Sequence, residues 1–134
     1  MKPFLESAGF TALGLSSLAH LRAQTAGASG AVVSMAVASS TGMAAEDVVA
    51  ELRKLAPRLP ITIAGLLELD RIAASIERMG GRLGAPPIVL GVSATAERHG
   101  ALGAPNTFLY VCKSDLLAPD RRAQAACMIQ RHFH

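Results

Sequence analysis

Hydroxyl side chains, rather than acids or bases, occupy the position in this sequence where binding chemistry is most expected. The turn SSTG, residues 39–42, separates an apolar run at residues 31–38 from a helical pattern at residues 43–55. Hydroxyl and backbone N–H groups in front of a helix donate hydrogen bonds to anions, and the helix dipole favours negative charge there. The same groups also cap helices, which is the alternative interpretation. The ligand-binding residues predicted in this turn are Ser39, Ser40, Thr41 and Gly42.

Three further residues are predicted to complete this site. Ser93 and Thr95 follow an apolar run at residues 88–92, and Lys113 follows another at residues 107–112. Parallel strands end at one edge of their sheet, where ligands of α/β proteins bind. We therefore expect Ser93, Thr95 and Lys113 to face the same cleft as the turn, with Lys113 as counter-charge to a small anionic ligand.

No catalytic set can be assembled from the sequence. Glu68 and Asp70 are the nearest to paired carboxylates, but acids in this position are typical of the first turn of a helix. The stretch CKSD, residues 112–115, is similar to the guanine-reading motif of GTPases, yet no GxxxxGK[ST] sequence accompanies it. We predict no catalytic residue, and binding or signalling is favoured over enzymatic activity.

Histidines and cysteines are not spaced as metal or redox sites. His132 and His134 are two positions apart in RHFH and lack the further ligands that a metal needs, so a frayed terminus is expected there. No nucleophile accompanies His99. Cys112 and Cys127 form no CxxC motif and are predicted to be reduced, buried thiols. The sequence predicts neither a metal site nor a cofactor.

Apolar runs of strand length alternate with segments of helical period along the chain, which predicts a parallel α/β sheet. We expect one α/β domain over residues 1–134, with three layers, about five mostly parallel strands and helices on both faces. The run at residues 31–38 is expected to be central, because a strand buried on both faces reads as continuous apolar sequence. Predicted strands are 10–15, 31–38, 61–64, 88–92 and 107–112; predicted helices are 3–8, 17–24, 43–55, 68–79, a short one in 93–102, and 119–131.

Composition limits the classes of partner. The 13 Lys and Arg against 10 Asp and Glu give a net charge of +3, but the basic residues are scattered, which argues against nucleic acid. No apolar run reaches the roughly 18 to 20 residues of a membrane span. The start, MKPFLESAGF, has no apolar leader, so a cytoplasmic location is expected. With 51% hydrophobic residues, we expect a protein partner or a homo-oligomer.

Two stretches resemble the receiver domain of bacterial response regulators, a CheY-like, flavodoxin-like fold. They are TGMAAEDVVAELRKLAPRLPITIAG at residues 41–65 and MKPFLESAGF at residues 1–10. The resemblance implies a signalling role, but an ungapped alignment puts Val37 at the family's phosphoacceptor Asp and Ala64 at its switch Thr or Ser. The match begins after the family's pair of Mg²⁺-binding acids, and Lys113 follows Gly65 at about twice the spacing of the family's lysine. The implied protein is a degenerate pseudo-receiver that acts through protein–protein contacts.

A second resemblance points to ligand binding. Residues 33–40, followed by a helix and PITIAG, are similar to cobalamin-binding domains, in which a strand ends in Ser residues near the nucleotide tail. The DxHxxG motif of many such domains is absent, and Ala64 and Gly65 stand in place of their glycine pair. The alternative function is therefore a small-ligand binding domain, for cobalamin, a nucleotide or a phosphorylated metabolite, at the carboxyl edge of the sheet.

Overall fold

Four parallel strands form the sheet in the computed structural model, which describes residues 2–11, 27–34, 45–81, 87–104 and 106–133. Along the sheet their order is β1-β2-β4-β3, so the last strand inserts between the second and the third. The predicted mixed α/β class with a parallel sheet is confirmed. The strands are β1 Ala31–Ser34, β2 Ile61–Gly65, β3 Ile88–Gly91 and β4 Thr107–Cys112.

The helices also follow the sequence pattern closely. Residues 119–131 were expected as the last helix, for example, and the observed helix is Pro119–His132. One short helix, Lys113–Leu117, was not predicted, because it follows a strand without any turn residue between them. Within the described residues no helix has the length and apolar character needed to cross a membrane. The α-helices are α1 Lys2–Ser7, α2 Ala45–Leu55, α3 Leu69–Gly81, α4 Lys113–Leu117 and α5 Pro119–His132, with a 3₁₀ helix at Ala96–Ala101.

The two inner strands of the described sheet are β2 and β4, and the predicted central run at residues 31–38 is described only over its first half, as β1. All six residues of β4 are buried, because β2 and β3 flank it and packed side chains cover both of its faces. β1 lies at one end of the four described strands, and Ser34 is exposed. The remainder of the predicted run, residues 35–38, lies outside the described residues, as do nearly all of the predicted strand 10–15 and the predicted helix 17–24.

Two clusters of buried side chains cover opposite faces of the sheet, because successive residues of a strand point to opposite sides. β2 and β4 are paired so that Ile61 lies beside Phe108 and Ile63 beside Tyr110, all on one face. Helices α2 and α3 cover that face, and α1 and α5 cover the other. The first cluster includes Val49, Leu52, Ile72 and Ile76 from the helices; the second includes Phe4, Leu109, Val111, Met128 and Ile129.

Parallel strands give the sheet two different edges. All four strands end at the carboxyl edge, and the segments that precede them gather at the opposite, amino edge. Helix α5 begins near the carboxyl edge after α4 and runs back along the sheet. Its last turn reaches the amino edge, where the ring Nε2 of His132 lies 3.0 Å from the carbonyl oxygen of Ile61, the first residue of β2.

Candidate functional site

Side chains from the ends of the two central strands meet at the carboxyl edge. Gly65 of β2 is the register partner of Cys112 of β4, so the segments that follow these strands are neighbours. The Ser114 hydroxyl donates a 3.1 Å hydrogen bond to Oε1 of Glu68, and Cys112 Sγ lies 3.9 Å from the same oxygen. We call this group, Glu68, Tyr110, Cys112, Ser114 and Asp115, the carboxyl-edge cluster.

The cluster holds the backbone of the segment after β2. The Tyr110 hydroxyl donates to the carbonyl oxygen of Leu67, and Cys112 Sγ donates to that of Leu66 at 3.6 Å. Glycine at position 65 makes room for the tyrosine, because a Cβ there would lie 2.6 Å from the Tyr110 hydroxyl oxygen. The segment is therefore anchored through its carbonyl groups.

Asp115 explains why a helix begins directly after β4. Its Oδ2 accepts a 3.0 Å hydrogen bond from the backbone N–H of Cys112, while Cys112 Sγ accepts one from the backbone N–H of Asp115. This reciprocal pair is a capping box with a thiol in the place of the usual hydroxyl. Arg121 of α5 lies 3.6 Å from the other carboxylate oxygen, Oδ1. Because its side chain is mostly exposed, this ion pair adds little stability.

The surroundings of the cluster disfavour ionisation of the Tyr110 hydroxyl. Burial, followed by the charges at Cys112, Glu68 and Asp115, raises the pKa of Tyr110 to about 12. A phenol with such a pKa remains a hydrogen-bond donor at neutral pH and does not act as a base. The role that the geometry gives to Tyr110 is therefore to donate to Leu67.

The chemistry available to Cys112 is limited by its surroundings. The residue is buried, and its sulfur lies 3.3 Å from the Ser114 hydroxyl and 3.9 Å from Oε1 of Glu68. No described hydrogen bond joins a histidine to the cluster. Across the described residues no group of three or more His, Cys, Asp or Glu side chains could hold a metal ion. The cluster has the geometry of a structural network.

The predicted ligand residues that the structure describes lie at the same edge but are not gathered into one cleft. Ser93 lines a depression of about 290 Å³ together with Arg121 and Gln124. Thr95 is the residue before the 3₁₀ helix and makes no side-chain capping bond. Lys113 is exposed at the first position of α4. The predicted residues Ser39, Ser40, Thr41 and Gly42 lie outside the described residues, and so does Val37.

Two expectations about histidine and cysteine are wrong. His132 is fully buried, not frayed: Nδ1 accepts a 2.8 Å hydrogen bond from the N–H of Gly103, and Nε2 faces Ile61. Burial, the largest effect, lowers the pKa of His132, as does the charge of Arg53. The signal that could have revealed this position is the helical period, since the buried residues of α5 are Ala125, Met128, Ile129 and His132. Cys127, predicted to be buried, is exposed on α5.

Three leucines are exposed beside the carboxyl-edge cluster. Leu66 and Leu67 are 63% and 49% exposed, and Leu117, at the end of α4, is 77% exposed. Helix α4 has five residues, which at 1.5 Å per residue span roughly 7.5 Å, so Leu117 stays at the carboxyl edge. We call Leu66, Leu67 and Leu117 the leucine surface. Sequence reasoning missed it, although two Leu-Leu pairs shortly after predicted strands were a visible signal.

Comparison of the chain with protein-family models, with curated proteins and with solved structures finds no match. The resemblances to receiver and cobalamin-binding domains stay predictions, and the residues quoted for them are their basis.

Proposed function

We propose that this protein is a non-catalytic regulatory module, resembling a pseudo-receiver, that acts through protein contacts made at the carboxyl edge of its sheet. The observation that carries the proposal is the leucine surface. Three leucines, each about half exposed or more, project where the two central strands end. Large apolar side chains gathered on a surface are typical of sites where proteins dock.

The anchoring of Leu66 and Leu67 supports this proposal. Their carbonyl groups are held by Cys112 and Tyr110, so the backbone is fixed while the side chains face solvent. A surface that is already ordered loses less conformational entropy when a partner binds. By holding this backbone in place, Tyr110 and Cys112 keep the side chains of Leu66 and Leu67 in a defined position on the surface.

The state of the reactive groups supports a non-catalytic role. Tyr110 is protonated at neutral pH, and its pKa is raised further, to about 12; Cys112 is buried and anchors the segment after β2. Both groups donate hydrogen bonds to backbone carbonyls. In the receiver family, regulation needs a phosphoacceptor, and the aligned residue here, Val37, cannot accept a phosphoryl group.

The proposed architecture is a cytoplasmic, flavodoxin-like domain of three layers and about five strands. Four parallel strands are described, and apolar clusters cover both faces of their sheet. Helices on both faces of a parallel sheet are typical of doubly wound α/β folds, which supports this part of the proposal.

The partner that we propose is a second copy of this chain, bound through the leucine surface. Sedimentation velocity over a range of concentrations tests this, with L66D and L117D as disrupting variants. L55D is the matched control, since Leu55 is also exposed, at 39%, but ends α2 at the amino edge. We expect the wild type and L55D to associate with rising concentration and the other two variants to remain monomeric. A wild type that is monomeric at every concentration would contradict the proposal.

A second candidate is the binding of a small anionic ligand, for which the depression beside Ser93 is the specific observation. Arg121, which also pairs with Asp115, supplies a guanidinium group there, and Ser93 and Gln124 supply hydrogen-bonding groups. Asp120 also lines the depression, and its carboxylate opposes an anion. A panel of cobalamin, nucleotides and phosphorylated metabolites should raise the melting temperature if one of them binds. The rise should shrink in R121Q; a panel without any effect would exclude the ligands tested.

A further inference from the structure

An open cavity of about 720 Å³ lies at the amino edge, on the side of the sheet opposite to the leucine surface. Its polar wall contains Ser29 and two arginines, Arg58 and Arg131. Its apolar wall includes Leu102 and Phe133. Neither the predicted anion site nor the proposed function uses this cavity.

The topology brings these residues together because the segments that precede parallel strands meet at one edge. Ser29 comes two residues before β1, and Arg58 lies in the turn between α2 and β2. Leu102 lies in the segment that leads from the 3₁₀ helix to β4. Arg131 is in the last turn of α5, whose antiparallel course returns it to this edge. Four separate parts of the chain thus contribute to one cavity.

The charge of the cavity is not neutralised within the described residues. Arg58 and Arg131 are both exposed, and neither takes part in any described hydrogen bond or ion pair. Other arginines are bound within the protein: Arg53 donates a 2.6 Å hydrogen bond to the carbonyl oxygen of Leu59, and Arg121 forms an ion pair with Asp115. Among the described residues, these two unpaired guanidinium groups give the wall of the cavity a positive charge.

The remaining polar groups of the wall are already engaged. His132 binds the N–H of Gly103 through Nδ1 and faces the carbonyl of Ile61 through Nε2, so neither ring nitrogen is available to a ligand. The C-terminal end of α5 carries the negative end of the helix dipole, which repels an anion. The positive charge of Arg131, in the last turn of α5, compensates for this repulsion. The attraction for an anion must therefore come from the two arginine side chains, with the Ser29 hydroxyl as a further donor.

We propose that this cavity binds a small phosphorylated molecule that carries at least two negative charges. The planar guanidinium groups of Arg58 and Arg131 hold phosphate oxygens in paired hydrogen bonds, a geometry that Lys does not offer. The apolar part of the ligand lies against Leu102 and Phe133. The volume of the cavity is within the range of roughly 300 to 1,000 Å³ that is usual for small-molecule sites.

Pyrophosphate is the probe, because it supplies the charge without the apolar part. Isothermal titration calorimetry at constant ionic strength measures its binding to the full chain, to R58Q and to R131Q. R71Q is the control of equal charge, since Arg71 is exposed in the first turn of α3, at the carboxyl edge. We expect one pyrophosphate per chain, a Kd at least tenfold higher in R58Q and in R131Q, and an unchanged Kd in R71Q.

Two results would overturn the site. The first is the absence of pyrophosphate binding to the wild type, and the second is an equal loss in R71Q and R58Q, which would indicate attraction to net charge alone. Circular dichroism of each variant shows whether it is folded, and R58Q lies in a turn, where substitution disturbs little packing. The leucine surface is intact in all three variants, so their self-association is a separate readout and does not decide this test.

Discussion

The hydroxyl of Tyr110 donates a hydrogen bond to the carbonyl oxygen of Leu67, which precedes it by 43 residues in the sequence. This contact joins the central strand β4 to the segment after β2 and fixes one part of the leucine surface. It exists because β2 and β4 pair side by side, with Gly65 opposite Cys112. The docking proposal rests on this hydrogen bond, because it joins a buried side chain of β4 to the backbone that carries the exposed side chain of Leu67.

Removal of the Tyr110 hydroxyl should weaken both the fold and the leucine surface. In Y110F the carbonyl of Leu67 loses its donor, and the lost hydrogen bond should lower the free energy of unfolding by about 0.5 to 1.5 kcal/mol. Urea denaturation measures this change. Self-association should weaken as well, because Leu67 is no longer held. If Y110F unfolds and associates like the wild type, the anchoring role of Tyr110 is refuted.

The close approach of Tyr110 to Gly65 predicts a second effect. In G65A the new Cβ would lie 2.6 Å from the hydroxyl oxygen, so the ring must move. We expect a loss of roughly 1 to 3 kcal/mol in the free energy of unfolding, as is usual for overpacking. G100A is the control, because a Cβ at Gly100 meets nothing within 4 Å. Equal stability of the two variants would show that the site tolerates the extra carbon.

His132 should make the protein sensitive to mild acid. The pKa of His132 is lowered in the folded protein, chiefly by burial, so the unfolded chain binds its proton more readily. Stability from this residue is therefore complete above the unfolded pKa of about 6.5 and falls as pH decreases from there toward the folded pKa, at up to about 1.4 kcal/mol per pH unit. Urea denaturation between pH 7.5 and 4.5 measures the slope.

The substitution H132Q provides the comparison, since it removes the titrating group and should flatten that part of the profile. Because a variant of a fully buried residue can fail to fold, the ring protons of His132 in the wild type should also be followed by NMR. They should titrate below pH 6.5. An NMR titration of His132 at or above pH 6.5 would contradict the lowered pKa.

The departure from the receiver pattern predicts the absence of phosphorylation. With Val37 at the position aligned with the phosphoacceptor Asp, incubation with acetyl phosphate and Mg²⁺ should leave the intact mass unchanged. A receiver domain that retains the Asp is the positive control. The gain of one phosphoryl group by this chain would show that another residue accepts phosphate and would remove the argument for a pseudo-receiver.

Local patterns in the sequence predicted the elements well. Residues 107–112 were predicted as a strand, and β4 has those limits, because an apolar run there is bounded by polar residues on both sides. The order of the strands was not predictable in this way. A continuous apolar run indicates that a strand is buried on both faces. Both β1 and β4 lie in runs of this kind, so the pattern does not show which strand lies inside the sheet. The crossover connections between the strands decide their order.

The candidate site was harder to predict than the fold, because it depends on strand pairing. Glu68 and Cys112 are 44 positions apart, and they approach only because the last strand inserts next to β2. The sequence predicts Glu68 as an acid in the first turn of a helix and Cys112 as a buried thiol. It does not predict that the two side chains lie close together. His132 differs, because the helical period of α5 alone indicates that this residue is buried. Its place near the end of the chain favoured a frayed terminus instead.

Hydrogen–deuterium exchange of the wild type at low and high protein concentration is the most direct test of the leucine surface as an interface. The proposal predicts that amides of Leu66, Leu67 and Leu117 exchange more slowly at high concentration, whereas amides around Leu55 at the amino edge are unaffected. Slower exchange elsewhere with no change at the three leucines, or no change anywhere, would contradict docking at the carboxyl edge.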